Sequence, residues 1–322
     1  MRLRLALIQP AFYSAWKKLS RSVVMWLLFF LPADRKIAVQ RWLRGREQFH
    51  TLRKADCVIV SFGKSGRTWL RVMLSRFYQV KHGLPENYLI SFSNLHLAKP
   101  AIPKIFFTHD NYLKDYAKHG EGKAAYADKK VVLLVRHPAD VAVSQFHQWR
   151  YRMRPHKKAL NRYPPHGEEV EIFDFVARRD AGIAKVLDFL NAWAEEIPRM
   201  PNLLVVRYED LRASPEATLE RLLSFIATPG SEAEVREAVA FASFENMKRL
   251  ESGDAFRLRG GRFAPRDRSN PESYKVRRGK VGGYRDYFSD EQVAEIEALI
   301  DAGLSPVFGY QAHNVAKPAE GA

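Results

Sequence analysis

The chain has 322 residues, 46% of them hydrophobic and 27% charged, a composition that excludes nothing but the extremes and fits an ordinary globular protein of one large or two small domains. Lys and Arg outnumber Asp and Glu by 52 to 36, a formal +16, which favours anionic partners such as phosphorylated cofactors, acidic polymers, nucleic acid or anionic lipid headgroups. The lone Cys57 excludes an internal disulfide, and its apolar neighbours predict an inert buried thiol in a reducing compartment.

In chain order, the first feature is an apolar run from Val23 to Pro32 that follows Arg2, Arg4, Lys17, Lys18 and Arg21. A spanning helix needs about 20 apolar residues, so this run is too short to cross a bilayer. Residues 1–40 are expected either to lie on a membrane surface, with Trp26, Phe29 and Phe30 inserted, or to pack on the globular body. Residues 1–53 therefore read as a basic and apolar N-terminal segment, 54–312 as the main domain and 313–322 as a flexible tail.

Short apolar runs at 56–62, 104–109, 131–136 and 203–208 read as buried strands. Helical patterns fall between and after them, at 68–80, 138–149, 181–197, 214–226, 231–243 and 289–300. Ser214 before Pro215, Ser231 with acidic residues behind it, and Ser289 followed by Gln292 mark helix starts. Strand alternating with helix predicts an α/β fold: a three-layer arrangement with a central parallel sheet between helices. Residues 150–170 are basic, contain Pro155, Pro164 and Pro165, and read as a long loop at a binding rim. Within 254–283, positions 257, 259, 262, 266, 268, 275, 277 and 278 are Lys or Arg, which is either a solvated surface or a cover over bound anions.

Ligands of open parallel sheets settle at the carboxyl ends of the strands. The first predicted strand runs into Gly63-Lys64-Ser65-Gly66-Arg67-Thr68, where small residues let backbone N–H groups approach an anion at a helix N-terminus. A triphosphate loop of the usual kind would carry Gly at the position of Val58. The second strand ends at His109, which is either a structural histidine or a general base for an acceptor hydroxyl. The third ends at Arg136, and with Ser144 it could grip a second phosphate. The chain thus offers two anion sites and a candidate base, without a carboxylate pair suited to Mg²⁺.

On these residues the chain resembles the sulfotransferases that use 3′-phosphoadenylyl sulfate. "SFGKSGRTWL" (61–70) is similar to their 5′-phosphosulfate loop, "VVLLVRHPADVAVSQF" (131–146) to their 3′-phosphate motif, and "VRRGKVGGYRDYF" (276–288) to their closing segment; "YED" (208–210) and "SFENMK" (243–248) stand in the expected order. The resemblance covers roughly residues 55 to 300 and implies a fold like that of the P-loop nucleoside triphosphate hydrolases. It implies that Lys64 contacts the phosphosulfate and stabilises the leaving oxygen, with Ser65, Gly66, Arg67 and Thr68 around the same group. Trp69 would stack on adenine beside Phe244, Met247 and Tyr208, and Arg136, Ser144, Arg277, Arg278 and Gly279 would hold the 3′-phosphate. His109 would take the acceptor proton, with His96, His137 and His147 as the other histidines to test.

The expected reaction is sulfuryl transfer to a hydroxyl or amine, and its chemistry requires no metal. The acceptor would be a small molecule, glycan or lipid, with anionic and membrane-located ones among the candidates, and the setting cytoplasmic or at the inner membrane face. No nucleic-acid partner is expected. The alternatives are a P-loop kinase using ATP and Mg²⁺, and a non-catalytic basic protein that binds nucleic acid or membrane. Gly63, Arg67, Arg278, Gly283 and Tyr284 stand where the family commonly has proline, a small hydroxyl residue, lysine, aspartate and tryptophan; nothing in the sequence explains the extra cation at Arg67.

Overall fold

A computed structural model of the chain describes residues 15–17, 19–117, 123–253 and 263–311. Arg2, Arg4, Lys18, Arg257, Arg259, Arg262 and the 313–322 tail lie outside the described residues. The strands are β1 (Cys57–Ser61), β2 (Ile105–Thr108), β3 (Lys130–Val135) and β4 (Leu203–Arg207). The main helices are α1 (Ala33–Arg53), α2 (Arg67–His82), α3 (Pro138–His147), α4 (Ile183–Ala194), α5 (Tyr208–Ala213), α6 (Pro215–Phe225), α7 (Glu232–Phe241), α8 (Phe244–Ser252) and α9 (Asp290–Gly303). The chain divides into two compact units, residues 1–61, 66–134 and 202–277, and residues 62–65, 135–201 and 278–322.

The first unit carries the sheet, in the order β2-β1-β3-β4. β1 pairs in parallel with both neighbours, placing Val58 beside Phe106 and beside Val131. Every residue of β1 is buried, as the run of apolar side chains requires of a strand covered on both faces. Leu70, Met73, Leu74 and Phe77 of α2 join Ile59, Val132 and Leu134 of the sheet, Leu219 and Leu222 of α6, and Val235 and Ala238 of α7 in one cluster. Each such aliphatic or aromatic side chain contributes about 1.5–3 kcal/mol on burial. Cys57 lies in this cluster, where burial pushes its thiol up to about 12, so it stays protonated and inert.

The sequence predicts nothing regular at 33–53, yet α1 is there. Its buried positions are Arg41, Gly45 and Leu52, a stripe that hydropathy cannot see. Arg41 binds both carboxylate oxygens of Asp115, at 3.1 and 2.8 Å, and the Asn111 carbonyl at 2.9 Å. A Cβ at Gly45 would stand 2.3 Å from the carbonyl oxygen of Tyr112, so only glycine permits this approach. Residues 33–53 thus pack on the body of the first unit.

In the second unit α3 and α9 both pack on α4, and Phe146, Trp149, Val170, Phe175 and Ala181 form an aromatic cluster. Asn191 donates to the Gly303 carbonyl at 2.7 Å and accepts from the Ser305 N–H at 2.9 Å, closing the C-terminal end of α9. The 150–170 stretch is not a plain loop: Pro155–Leu160 is helical, Lys158 is buried with its Nζ 4.3 Å from the Trp149 ring centroid, and Lys185 caps the Asn161 and Arg162 carbonyls. Part of its charge is spent on cation–π contact. Ser231 and Ser289 form full capping boxes with Glu234 and Gln292, whereas Ser214 stands at the start of α6 without a side-chain cap bond.

Candidate active site

In the first unit, β1 delivers Ser61, and after the 62–65 turn Gly66 opens α2 at φ 92°. A Cβ on Gly66 would lie 2.5 Å from Cδ2 of Tyr208, so the close approach of the Tyr208 ring and the left-handed backbone both demand glycine. No side chain caps α2, and its first turn holds Arg67 and no acidic residue. Uncapped N–H groups and a cation at the positive end of a helix dipole are an arrangement that an anion would stabilise.

Arg67 reaches His109, its Nη2 2.6 Å from Nε2, while Nδ1 of the same ring lies 2.8 Å from the Ser61 carbonyl oxygen. A carbonyl only accepts and a guanidinium only donates, so Nδ1 carries the hydrogen and Nε2 presents its lone pair. The turn beyond His109 is held as well. Asp110 sits at φ 52°, its N–H donates to Thr108 Oγ1 at 2.9 Å, and its carboxylate accepts from Tyr126 at 2.8 Å and pairs with Lys123.

Trp69, on the first turn of α2, donates from its indole N–H to the Ala242 carbonyl at 2.7 Å and meets Tyr208 edge-on, with centroids 5.7 Å apart. The Arg212 guanidinium lies 5.6 Å from the Trp69 ring, a contact that spacing does not reveal. Thr68 is half-buried on the same turn, and Phe244 is half-buried at the start of α8. Met247 is 3% exposed and belongs to the core cluster, which makes packing its first role.

α8 supplies a residue that the sequence reading missed. Glu251 is completely buried, and its two carboxylate oxygens accept from the backbone N–H groups of Lys275 and Val276 at 2.7 and 2.8 Å. A buried carboxylate satisfied by backbone donors fixes the chain just before Arg277. Arg277 itself donates to Glu272 at 2.8 Å.

In the second unit, Lys64 occupies the left-handed region at φ 75° and Ser65 is buried. A bulky residue in that region holds the turn at some energetic cost, a feature that concentrates at functional sites. Arg136 Nη1 lies 3.5 Å from the Lys64 carbonyl oxygen, at the outer limit of a hydrogen bond, and Nη2 donates to Asp140 at 3.2 Å and to the Lys280 carbonyl at 3.1 Å. The buried Asp140 also accepts from the Gly282 and Tyr284 N–H groups, both at 3.0 Å. One carboxylate thus orients Arg136 and pins the 282–284 turn. The only sequence signal for it is the four-residue spacing from Arg136.

Arg278 pairs with Asp286 at 3.0 Å and lies over Tyr287, and Gly279 takes φ 63°. Ser144 is half-buried on α3. The other histidines have structural surroundings. His137 is stacked in parallel on Tyr284 at 5.1 Å, and burial lowers its pKa to about 4. His147 is packed among Phe146, Tyr151 and Tyr287, and His96 Nδ1 bonds the Ile102 carbonyl at 2.7 Å.

The first unit therefore brings Arg67, His109 and Ser61 together, and separately Trp69, Tyr208, Arg212 and the Ala242 carbonyl. The second joins Arg136 and Asp140 to the backbone of Lys64 and Lys280. A profile of the Sulfotransferase domain family matches residues 54–308. The chain is 27% identical over 283 residues to cytosolic sulfotransferase 14 of Arabidopsis thaliana, covering 78% of this chain and 75% of that protein. It is 25% identical over 288 residues to flavonol 3-sulfotransferase of Flaveria bidentis, covering 82% and 88%. Among solved structures, mouse sulfotransferase SULT7A1 complexed with PAP aligns at a TM-score of 0.53 and 22% identity, covering 80% of this chain and 89% of that one.

Proposed function

The chain belongs to the sulfotransferase domain family, and from that premise we propose that it moves a sulfuryl group from 3′-phosphoadenylyl sulfate to a hydroxyl, or less readily an amine, of a small-molecule acceptor. The observation that carries this reading is the tautomer of His109: with Nδ1–H committed to Ser61, the Nε2 lone pair is the ring's proton-accepting face. The donor supplies the sulfuryl group, whose sulfur gains a bond to the acceptor oxygen as its bond to the 5′-phosphate oxygen breaks, releasing adenosine 3′,5′-bisphosphate.

Each residue then has a physical task. His109 Nε2 receives the acceptor proton. Lys64, Ser65, Gly66, Arg67 and Thr68 hold the phosphosulfate, with the Lys64 ammonium and the uncapped N–H groups of α2 stabilising charge that builds on the leaving oxygen. Trp69, Tyr208 and Phe244 form the adenine platform, with Met247 packed behind it. Arg136, Ser144, Arg277, Arg278 and Gly279 take the 3′-phosphate, and this grip selects the donor against ATP. The residues fit a doubly anionic nucleotide because Gly66 has no room for a side chain and α2 has no cap of its own.

The acceptor is a small hydroxylated molecule of the general kind named for the relatives. A lipid acceptor is favoured by a second feature. Trp16, Leu19, Val23, Trp26 and Leu27 fall at i, i+3, i+7, i+10 and i+11 of a helical stretch and are all exposed, as are Phe29 and Phe30 in the turn that follows. That is the pattern of a helix whose apolar face lies in a membrane surface. Among the described residues no helix is long and apolar enough to cross a membrane. This reading places the enzyme at the inner face of the cytoplasmic boundary.

Thermal melts separate the three classes of function. Adenosine 3′,5′-bisphosphate should raise the melting temperature, and ATP with Mg²⁺ or a DNA oligomer should not. Stabilisation by ATP with Mg²⁺ alone would make the chain a kinase, and by DNA alone a binding module; either result rejects the proposal.

A further inference from the structure

We propose that Arg67 is a donor-sensitive cap on the base: before donor binds it occupies the His109 Nε2 lone pair, and it leaves that lone pair when the sulfuryl donor arrives. The inference rests on the donor and base assignments proposed above. It addresses the extra cation in the loop, which stands where the family commonly has a small hydroxyl residue.

The contact itself carries the argument. Nη2 of Arg67 lies 2.6 Å from Nε2 of His109, and Nδ1 is already committed to the Ser61 carbonyl at 2.8 Å. A guanidinium has donors only, so in this arrangement it fills the lone pair that must receive the acceptor proton. A base whose lone pair is filled cannot take that proton. One of the two side chains has to move before turnover.

The ring is the fixed partner. Ser61 holds one side of it, and the following residue is locked by the Thr108, Tyr126 and Lys123 contacts of Asp110. Arg67 is the adjustable partner, a long half-buried side chain on the first turn of α2. It stands at the uncapped, positive end of that helix, where its own charge is disfavoured until an anion is present. A neutral imidazole nitrogen is a weaker acceptor for a guanidinium than a sulfate or phosphate oxygen, which can be bound through two parallel N–H bonds. Donor arrival therefore draws Arg67 from the imidazole to the anion, which frees Nε2 at the moment when there is a group to transfer. The base is thus withheld from acceptor hydroxyls until the donor is in place.

The test is the ¹⁵N chemical shift of His109 Nε2, recorded on the full chain with labelled histidine and assigned by loss of the resonance in His109→Asn. In the free protein Nε2 should read as a hydrogen-bonded lone pair. Saturating 3′-phosphoadenylyl sulfate without acceptor should move it downfield towards an unbonded value, and Arg67→Thr should show that downfield value with no donor present. A wild-type resonance unmoved by donor, in a sample whose thermal upshift proves occupancy, would overturn the cap while leaving the donor reading intact. So would identical donor-free resonances in the wild type and Arg67→Thr. Failure of the donor to raise the melting temperature would instead overturn the donor reading, and the coupling with it.

Discussion

Asp140 and Glu251 are buried carboxylates that accept from backbone N–H groups, Asp140 at Gly282 and Tyr284 and Glu251 at Lys275 and Val276, just before Arg277. Neither was legible in the sequence, because a single acidic residue inside a helix looks the same whether it faces water or a buried amide. Asp140→Ala should cost about 3 kcal/mol, since it takes the carboxylate from the Arg136 guanidinium and leaves two backbone N–H groups without this acceptor. It should also weaken adenosine 3′,5′-bisphosphate binding; calorimetry that finds unchanged affinity would show that the 282–284 turn does not serve the 3′-phosphate. His137 gives a separate prediction. Its pKa of about 4 in the folded chain lies below the ordinary value near 6.5, so both states are neutral above that value. Between 6.5 and 4 the unfolded chain binds a proton that the folded chain refuses, and stability falls as pH falls, by roughly 3 kcal/mol in all. Urea unfolding of His137→Phe should show a shallower loss across this window than the wild type.

At the level of elements, the strands were legible almost to the residue, because β1 and β3 are almost wholly buried and β2 and β4 partly so, and all four read as continuous apolar runs. Helices with apolar stripes were legible too. α1 and α8 were not, since their buried faces include Arg41, Gly45 and Glu251, whose partners lie far along the chain. The loop between β1 and α2 reads as anion-binding from its small residues, but the reason for Gly66 lies in the Tyr208 ring, far along the chain. Its φ of 92° and the Tyr208 ring 2.5 Å from any Cβ predict that Gly66→Ala lowers the melting temperature, by the equivalent of about 1–2 kcal/mol for the backbone alone. Bisphosphate should then stabilise the variant less than the wild type. An equal upshift in both would mean that the turn tolerates a side chain without losing its ligand geometry.

For the molecule as a whole, composition announced an anion binder and the ordered motifs announced the family. Charge could not say which arginines face ligand and which are structural: Arg41 and Arg76 are held in ion pairs, while Lys158 is buried against an aromatic ring. The exposed apolar residues near the N-terminus bear on the whole molecule, because the proposed membrane contact rests on them. Full-length protein should sediment with phosphatidylserine vesicles, and Trp26→Ser with Phe29→Ser and Phe30→Ser should reduce the bound fraction several-fold at unchanged bisphosphate affinity. Equal sedimentation of the two proteins would remove the membrane assignment without touching the chemistry.

The chemistry is tested most directly by transfer of ³⁵S-labelled sulfuryl from 3′-phosphoadenylyl sulfate to a phenolic or lipid hydroxyl, measured for the wild type, Lys64→Ala and His109→Asn side by side. The wild type should label the acceptor. Lys64→Ala should lose about 10²–10³ in turnover, as removal of one transition-state donor typically does. His109→Asn should abolish transfer while binding adenosine 3′,5′-bisphosphate nearly as well as the wild type. Normal turnover in His109→Asn, or in Lys64→Ala, would contradict the assignment of base and electrophile on which the mechanism rests.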